Sequence, residues 1–290
     1  MAVNVAVREA FENHVKAVES LNTPDHMLST SEDSFYVADL GDIVRKWTVW
    51  TEALPDITPF FAVKSSNDGR LIQTLASCGA GFDCASIEEI ELILSMGISV
   101  DRIIFTHPCK PSASLGLCRK LGVSLITFDN ECELCKLKDH YLEANVVLRI
   151  FADDPTDVDP SGTKFGASHH DFLRLIRLAK ELGLALAGAS FHAALSVAVD
   201  PETYVRGIGE AAEVFTQARE LGLNPTILDI GGGYMDHTFP KIAEAVRPAI
   251  ETCFPQLRNG EGSRGLRILA EPGTLFSNSP FYLAVKVIGR

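Results

Sequence analysis

The sequence predicts an α/β protein built as a (β/α)8 TIM-type barrel, and three observations predict it. Eight short apolar runs recur along the chain, the runs are continuous rather than alternating, and segments of helical period separate them. Continuous apolar runs fit parallel strands that are covered on both faces. Eight such β/α units over roughly 220 residues fit a closed barrel, with a doubly wound open sheet as the alternative architecture.

In chain order, residues 1–34 read as an N-terminal helical segment, and Ser34-Phe35-Tyr36-Val37-Ala38-Asp39 reads as a strand ahead of the first unit. The eight barrel strands fall at 57–64, 79–86, 102–108, 124–130, 145–151, 185–192, 224–231 and 264–273. Between them, Phe172, Leu175, Ile176, Ala179 and Leu182 recur at helical spacing, and so do Tyr204, Ile208, Ala211, Phe215 and Ala218. Asp200-Pro201-Glu202 opens the second of these helices, with Asp as N-cap and Pro at the first helical position. Asp129-Asn130 before Glu131, and Ser86 before Glu88-Glu89, are similar starts. The barrel occupies 41–280, while 35–40 and 281–290 read as strands of a residual β-domain. An apolar terminal strand needs a partner, so these two either pair with each other or belong to a further domain. The acidic, Pro-containing stretch 152–163 is a loop on the active face, read either as a solvated linker or as a lid.

Composition narrows the function. With 46% hydrophobic residues, 22% charged residues and a net charge of −12, the chain is a globular protein with one buried core. The acidic balance argues against nucleic acid, which needs clustered Lys and Arg. No apolar stretch approaches the roughly 20 residues of a membrane span, and the N-terminus has no secretory h-region. Seven scattered cysteines read as reduced thiols of a cytoplasmic protein. Cys132 and Cys135 form a C-x-x-C without a second pair at zinc spacing, so no metal is expected and both read as helix residues half facing the core.

The strand ends carry the chemistry. In a barrel they share one mouth, and here they bring Lys64, Asp83, His107, Asp129, Arg149, His192, Asp229 and Glu271. A charge closing a buried strand is costly unless it is paired or used. Gly231-Gly232-Gly233 follows strand seven, where barrels often hold phosphate. A lysine, a carboxylate and a phosphate cradle in one mouth fit two readings: a site for pyridoxal 5'-phosphate (PLP), or a phosphosugar barrel. In the first, the lysine amine bonds the aldehyde and the carboxylate keeps the pyridine nitrogen protonated.

Six motifs stand in an order that resembles the eukaryotic ornithine decarboxylases, within the alanine-racemase-like barrel-type PLP decarboxylases. They are Ala62-Val63-Lys64, Gly81-Phe82-Asp83-Cys84-Ala85-Ser86, Lys164-Phe165-Gly166, Ser190-Phe191-His192, Leu228-Asp229-Ile230-Gly231-Gly232-Gly233 and Glu271-Pro272-Gly273. The resemblance implies that Lys64 is the lysine bonded to PLP, Glu271 the partner of the pyridine nitrogen and His192 the residue stacked on the ring. It implies a phosphate cradle at Gly231, Gly232 and Gly233, and places Asp83, Glu89 and Arg149 along the cofactor site. For Asp83 and Arg149 the alternative is a buried structural ion pair.

The pattern also breaks. The family follows its histidine with Val-Gly-Ser-Gly, and here Ala193-Ala194-Leu195-Ser196 follows His192. Leu195 takes the place of the phosphate-binding serine, and Ser196 replaces it only if the loop shifts by one residue. The family's Glu-Pro-Gly-Arg becomes Glu271-Pro272-Gly273-Thr274, so Thr274 stands where an arginine pairs with phosphate. Losing one charge-assisted contact costs on the order of 1.5–3 kcal/mol. Family members also continue into a C-terminal β-domain that completes the partner subunit's site. The resemblance therefore implies a decarboxylase acting on L-ornithine, giving putrescine and CO2, or on a related basic amino acid in polyamine or specialised metabolism. The expected partners are that small substrate and a second subunit, as a homodimer or a heterodimer with an intact homologue. The alternatives are an inactive homologue with a regulatory binding role, as antizyme inhibitors have, and a fragment of a longer chain.

Overall fold

A computed structural model describes residues 5–20, 34–152, 165–193, 200–255, 266–285 and 287. Helix α1 (Val5–Ser20) precedes strand β1 (Phe35–Ala38) and helix α2 (Leu40–Ala53). Eight β/α repeats follow in the order β2 (Ile57–Ala62), α3 (Gly69–Cys78), β3 (Gly81–Cys84), α4 (Ile87–Ser95), β4 (Ile103–Phe105), α5 (Ser112–Leu121), β5 (Leu125–Phe128) and α6 (Glu131–His140). They continue with β6 (Asn145–Ile150), α7 (Phe172–Glu181), β7 (Ala185–Phe191), α8 (Pro201–Glu220), β8 (Ile227–Asp229), α9 (Phe239–Cys253), β9 (Arg267–Ala270) and α10 (Thr274–Ser277). Strand β10 (Phe281–Ala284) completes the described elements.

Strands β2 to β9 form a closed, wholly parallel barrel, which excludes the open-sheet alternative. Closure joins β2 to β9 through Ile57↔Ile268 and Pro59↔Ala270, so the ends of the first and last barrel strands are neighbours. Two apolar cores result. A small inner one packs Phe60, Ile104, Leu125, Val147 and Leu269 inside the barrel. Gly81, opposite Phe60 in register, makes room for it: a Cβ there would stand 2.5 Å from the Phe60 ring. The large outer core lies between the barrel and its helices and takes up the predicted helical stripes, including Phe172, Leu175, Ile176, Tyr204, Ile208 and Phe215.

Local chemistry fixes where the helices start. The Ser86 hydroxyl accepts from the Glu89 amide while Glu89 Oε2 accepts from the Ala85 amide, a reciprocal capping arrangement. Of the Asp129-Asn130 start, Asn130 caps α6, and Asp200 caps α8 with Pro201 behind it. Cys132 and Cys135 lie on α6 but are both exposed, which corrects the half-facing expectation: Glu133, Leu134 and Leu137 take the inward side. Among the described residues no His, Cys, Asp and Glu cluster is placed to hold a metal, and no helix is long and apolar enough to cross a membrane.

Outside the barrel, β1 and β10 pair antiparallel, Phe35↔Ala284 to Ala38↔Phe281. The two terminal strands therefore partner each other. Tyr36 and Leu283 remain exposed on this ribbon. Of the predicted 152–163 loop, all but Ala152 lies outside the described residues.

Candidate active site

Lys64 sits in a single 3-10 turn, Val63–Ser65, immediately after β2. The Ser65 hydroxyl donates to Ala62 O at 2.8 Å and the Ser66 amide to Val63 O at 3.1 Å, which fixes the turn. The Ala62 amide donates to Pro272 O at 3.2 Å, tying the turn to Glu271-Pro272-Gly273. A Cβ on Gly273 would come within 3.0 Å of the Ser65 Cβ, so glycine lets the two segments touch. Lysine and glutamate thus share one edge of the mouth because β2 and β9 close the barrel.

Lys64 Nζ lies 3.3 Å from Asp83 Oδ2. Asp83, at the end of β3, is fully buried, and its other oxygen accepts the Thr106 hydroxyl. Burial pushes the Asp83 carboxyl up to about 6; the Lys64 charge opposes this and the Glu271 charge adds to it. The Asp83 charge in turn raises the Lys64 amine above its ordinary value. Asp83 therefore pairs with Lys64, and the alternative of an Asp83–Arg149 ion pair is not what forms.

Glu271 is buried at the end of β9, and its amide donates to Gly231 O at 2.6 Å. Its Oε2 lies 3.3 Å from His192 Nδ1. Burial pushes this carboxyl up, but the hydrogen bond and charge of His192, with the charges of Lys64 and Arg149, outweigh burial and hold it at about 2. Burial lowers the His192 imidazole below its ordinary range. Glu271 is the ionised member of the pair.

Gly231 and Gly232 are required by close approach, and Gly233 by its backbone at φ +103°. A Cβ on Gly231, at φ +65°, would stand 2.1 Å from Phe191 O, and one on Gly232 would stand 2.7 Å from Glu271 O. Their amides are partly engaged. Gly231 donates to Asp229 Oδ1 at 2.9 Å and Gly232 to His192 Nδ1 at 3.2 Å. The Gly233 amide makes no hydrogen bond among the described residues.

A cavity of about 260 Å³ brings these groups together, lined by Lys64, Ser65, His192, Gly233, Glu271 and Thr274 among others. Lys64, His192, Gly233, Glu271 and Thr274 are thus gathered as predicted, with Asp83 directly behind Lys64. Ser196 and Leu195 lie outside the described residues. Glu89 caps α4. Arg149 stands on the other side of the mouth, its guanidinium 5.5 Å from the centre of the Phe165 ring, and reaches the cavity through its charge on Lys64, His192 and Glu271. His107 and Asp129 share that side: the His107 and Phe165 rings are 5.6 Å apart, and Asp129 Oδ2 accepts the Gly166 amide at 2.9 Å. Sequence reasoning missed Ser65 and Thr106. Both are hydroxyls one residue from a flagged position or strand end, and that adjacency is the signal they offered.

Residues 40–278 match the pyridoxal-dependent decarboxylase family over its pyridoxal binding domain. Amino acid decarboxylase lolD2 of Epichloe uncinata is 72% identical over 288 residues, covering 99% of this chain and 69% of that protein. Ornithine decarboxylase of Mus musculus is 40% identical over 267 residues, covering 90% of this chain and 56% of its own length. Among solved structures, the Paramecium bursaria Chlorella virus arginine decarboxylase bound to agmatine superposes with a TM-score of 0.86 at 34% identity, covering 97% of this chain and 72% of that one. The chain belongs to the pyridoxal-dependent decarboxylases, and its cofactor is pyridoxal 5'-phosphate. The residues fit that group. The cavity offers an amine for the aldehyde, an ionised carboxylate for a protonated ring nitrogen, an imidazole wall, and the Gly233 amide with the Ser65 and Thr274 hydroxyls for an anion.

Proposed function

We propose that this chain binds pyridoxal 5'-phosphate through Lys64 and decarboxylates a basic L-amino acid of the ornithine type. The observation that supports it best is the pairing of Lys64 and Glu271 on one cavity, with Asp83 against the lysine and His192 against the glutamate. When bound, the cofactor supplies an electron sink for the pair of electrons left by loss of CO2.

The protein's own residues prepare for that. Lys64 Nζ is held protonated by Asp83, and an amine acts as a nucleophile only after losing its proton. Asp83 Oδ2, 3.3 Å away, is the base in reach. Glu271 keeps its negative charge in a buried place and would hold a protonated ring nitrogen. His192 would form one wall against the ring. Gly231, Gly232 and Gly233 would let the backbone approach the phosphate, with Thr274 and Ser196 offering hydroxyls there, and Arg149 would add positive charge from the far side of the mouth.

The basic substrate is supported by the likeness to an ornithine decarboxylase and to an arginine decarboxylase bound to agmatine. A cytoplasmic dimer, with itself or with a fuller homologue, belongs to the same reading. The exposed Tyr36 and Leu283 of the ribbon support association. Thr274 supports a second reading, an impaired or regulatory homologue, because it removes a charged phosphate contact.

The test has two parts. Borohydride reduction of the PLP-loaded chain, digestion and mass spectrometry should place the pyridoxyl group on Lys64; an adduct elsewhere, or none at saturating PLP, sinks the assignment. CO2 release from ornithine, lysine and arginine is then measured with the chain alone and mixed with an intact decarboxylase. Turnover of a basic amino acid supports the enzyme. Labelling at Lys64 with no turnover by the chain alone, while the mixture turns over substrate, supports the regulatory or partner reading.

A further inference from the structure

Asp229 ends β8 and is fully buried beside the cavity without lining it. Its Oδ1 accepts the Gly231 amide at 2.9 Å. Its Oδ2 is buried and meets no hydrogen-bond donor among the described residues. Across the β7–β8 register lies Ser190, whose hydroxyl is also buried and unpaired. A bare carboxylate oxygen in such a place is costly, and buried polar atoms are nearly always partnered.

The surroundings make a third negative charge costlier still. Asp229 faces Glu271 from β9 and Asp83 from β3, with Tyr234 following its own strand. Lys64 is the one lysine at this edge among the described residues, and it is already opposite Asp83. His192, after β7, sets one ring nitrogen between two partners. Its Nδ1 lies 3.2 Å from the Gly232 amide and 3.3 Å from Glu271 Oε2, and one nitrogen cannot accept the first and donate to the second together.

We propose that Asp229 stands in the folded protein as a neutral carboxylic acid whose Oδ2 hydrogen is donated to Glu271. It is then a positioning residue: the shared hydrogen holds the Glu271 carboxylate in place and leaves its charge for the cofactor's ring nitrogen. The cofactor part of this inference rests on the role proposed for Glu271 above; the protonation of Asp229 does not. Burial and the Glu271 charge both push Asp229 well above the ordinary carboxylate range, and the Gly231 amide opposes them.

The first measurement uses the full chain without cofactor. At about pH 8, where Asp83 has ionised, infrared difference spectroscopy should show a protonated carboxyl carbonyl. The band should vanish in Asp229→Asn and persist in Asp83→Asn. The second measurement is PLP affinity by fluorescence titration. Asp229→Asn keeps a neutral group with an N–H for Glu271 and an oxygen for Gly231, so it should bind PLP within about threefold of wild type, whereas Asp229→Leu should weaken binding at least about tenfold. Absence of the carbonyl band in wild type overturns the proposal, and so does a band that survives Asp229→Asn. Equal loss of PLP in the Asn and Leu variants overturns the positioning role. Because the infrared arm needs no cofactor, it decides the state of Asp229 even if Lys64 fails to bind PLP, and even if the Leu variant does not fold.

Discussion

Two lysines follow strands of this barrel, and their surroundings differ in kind. Lys110, after β4, has a fully buried side chain and every donor engaged: Nζ donates to His107 O at 2.8 Å and Thr127 O at 2.6 Å and pairs with Glu133 at 2.9 Å. Glu133 is closed in turn by Lys136 and by the Lys110 amide. Lys64, after β2, keeps 49% of its side chain exposed to the mouth and has one carboxylate against it. The first is a saturated strut and the second an open group. The neighbours of Lys64 share that openness: Asp229 Oδ2 has no donor, and His192 Nδ1 is shared between two claimants. Buried charge alone therefore does not mark a functional group; charge left with unused bonding capacity beside a cavity does.

The comparison is broken most sharply by removing each lysine's role. Lys64→Ala should abolish the borohydride-trapped pyridoxyl label and leave the thermal midpoint nearly unchanged, read by mass spectrometry and calorimetry on one sample. Glu133→Ala should do the reverse. It strands the Lys110 charge in the core and should cost about 3–5 kcal/mol in denaturant unfolding. Asp83→Asn, opposite the half-exposed Lys64, should cost no more than about 1 kcal/mol from loss of the pair itself.

A smaller effect concerns the anion end of the site. Leu195→Ser combined with Thr274→Arg should tighten PLP at least about tenfold, about 1.4 kcal/mol. Unchanged affinity in a fluorescence titration would show that the phosphate is already held by other groups.

The smallest effect is in pH dependence, and the two carboxylates should show opposite signs. Glu271, held at about 2 against an ordinary 4.5, contributes stability that is present above 4.5 and lost as pH falls toward 2. Glu271→Gln should flatten that acid limb. Asp83 is raised to about 6 from 3.8, so the folded state holds its proton more tightly and stability declines as pH rises from 3.8 to 6. Asp83→Asn should remove that decline. Urea midpoints measured across this range check both, and a matching sign for the two variants refutes the assignment.

Much of this was legible along the chain. The eight strands, the capped starts at Ser86 and Asp200 and the helical stripes follow from local pattern and capping chemistry, which act over a few residues. The set of strand-end groups was legible too, because strand direction in a parallel barrel sends every C-terminal end to one mouth. The choice of Asn130 as the cap within the Asp129-Asn130 start, the exposure of Cys132 and Cys135, and the burial of Lys110 were not. Each depends on which face of an element meets the barrel, and neighbouring residues compete for that face with little local energy between them.

By itself, then, the sequence determined the repeating β/α order and the chemical kinds of group at the mouth, since both are written in local periodicity and strand polarity. Only the tertiary structure decided which groups pair. Closure of β2 on β9 brings Lys64 beside Glu271, β3 puts Asp83 against Lys64 rather than Arg149, and the packing of β7, β8 and β9 leaves Asp229 between Glu271 and an unpaired serine. Pairing and protonation depend on burial and on charges contributed by strands far apart in the chain, and those distances exist only once the barrel has closed.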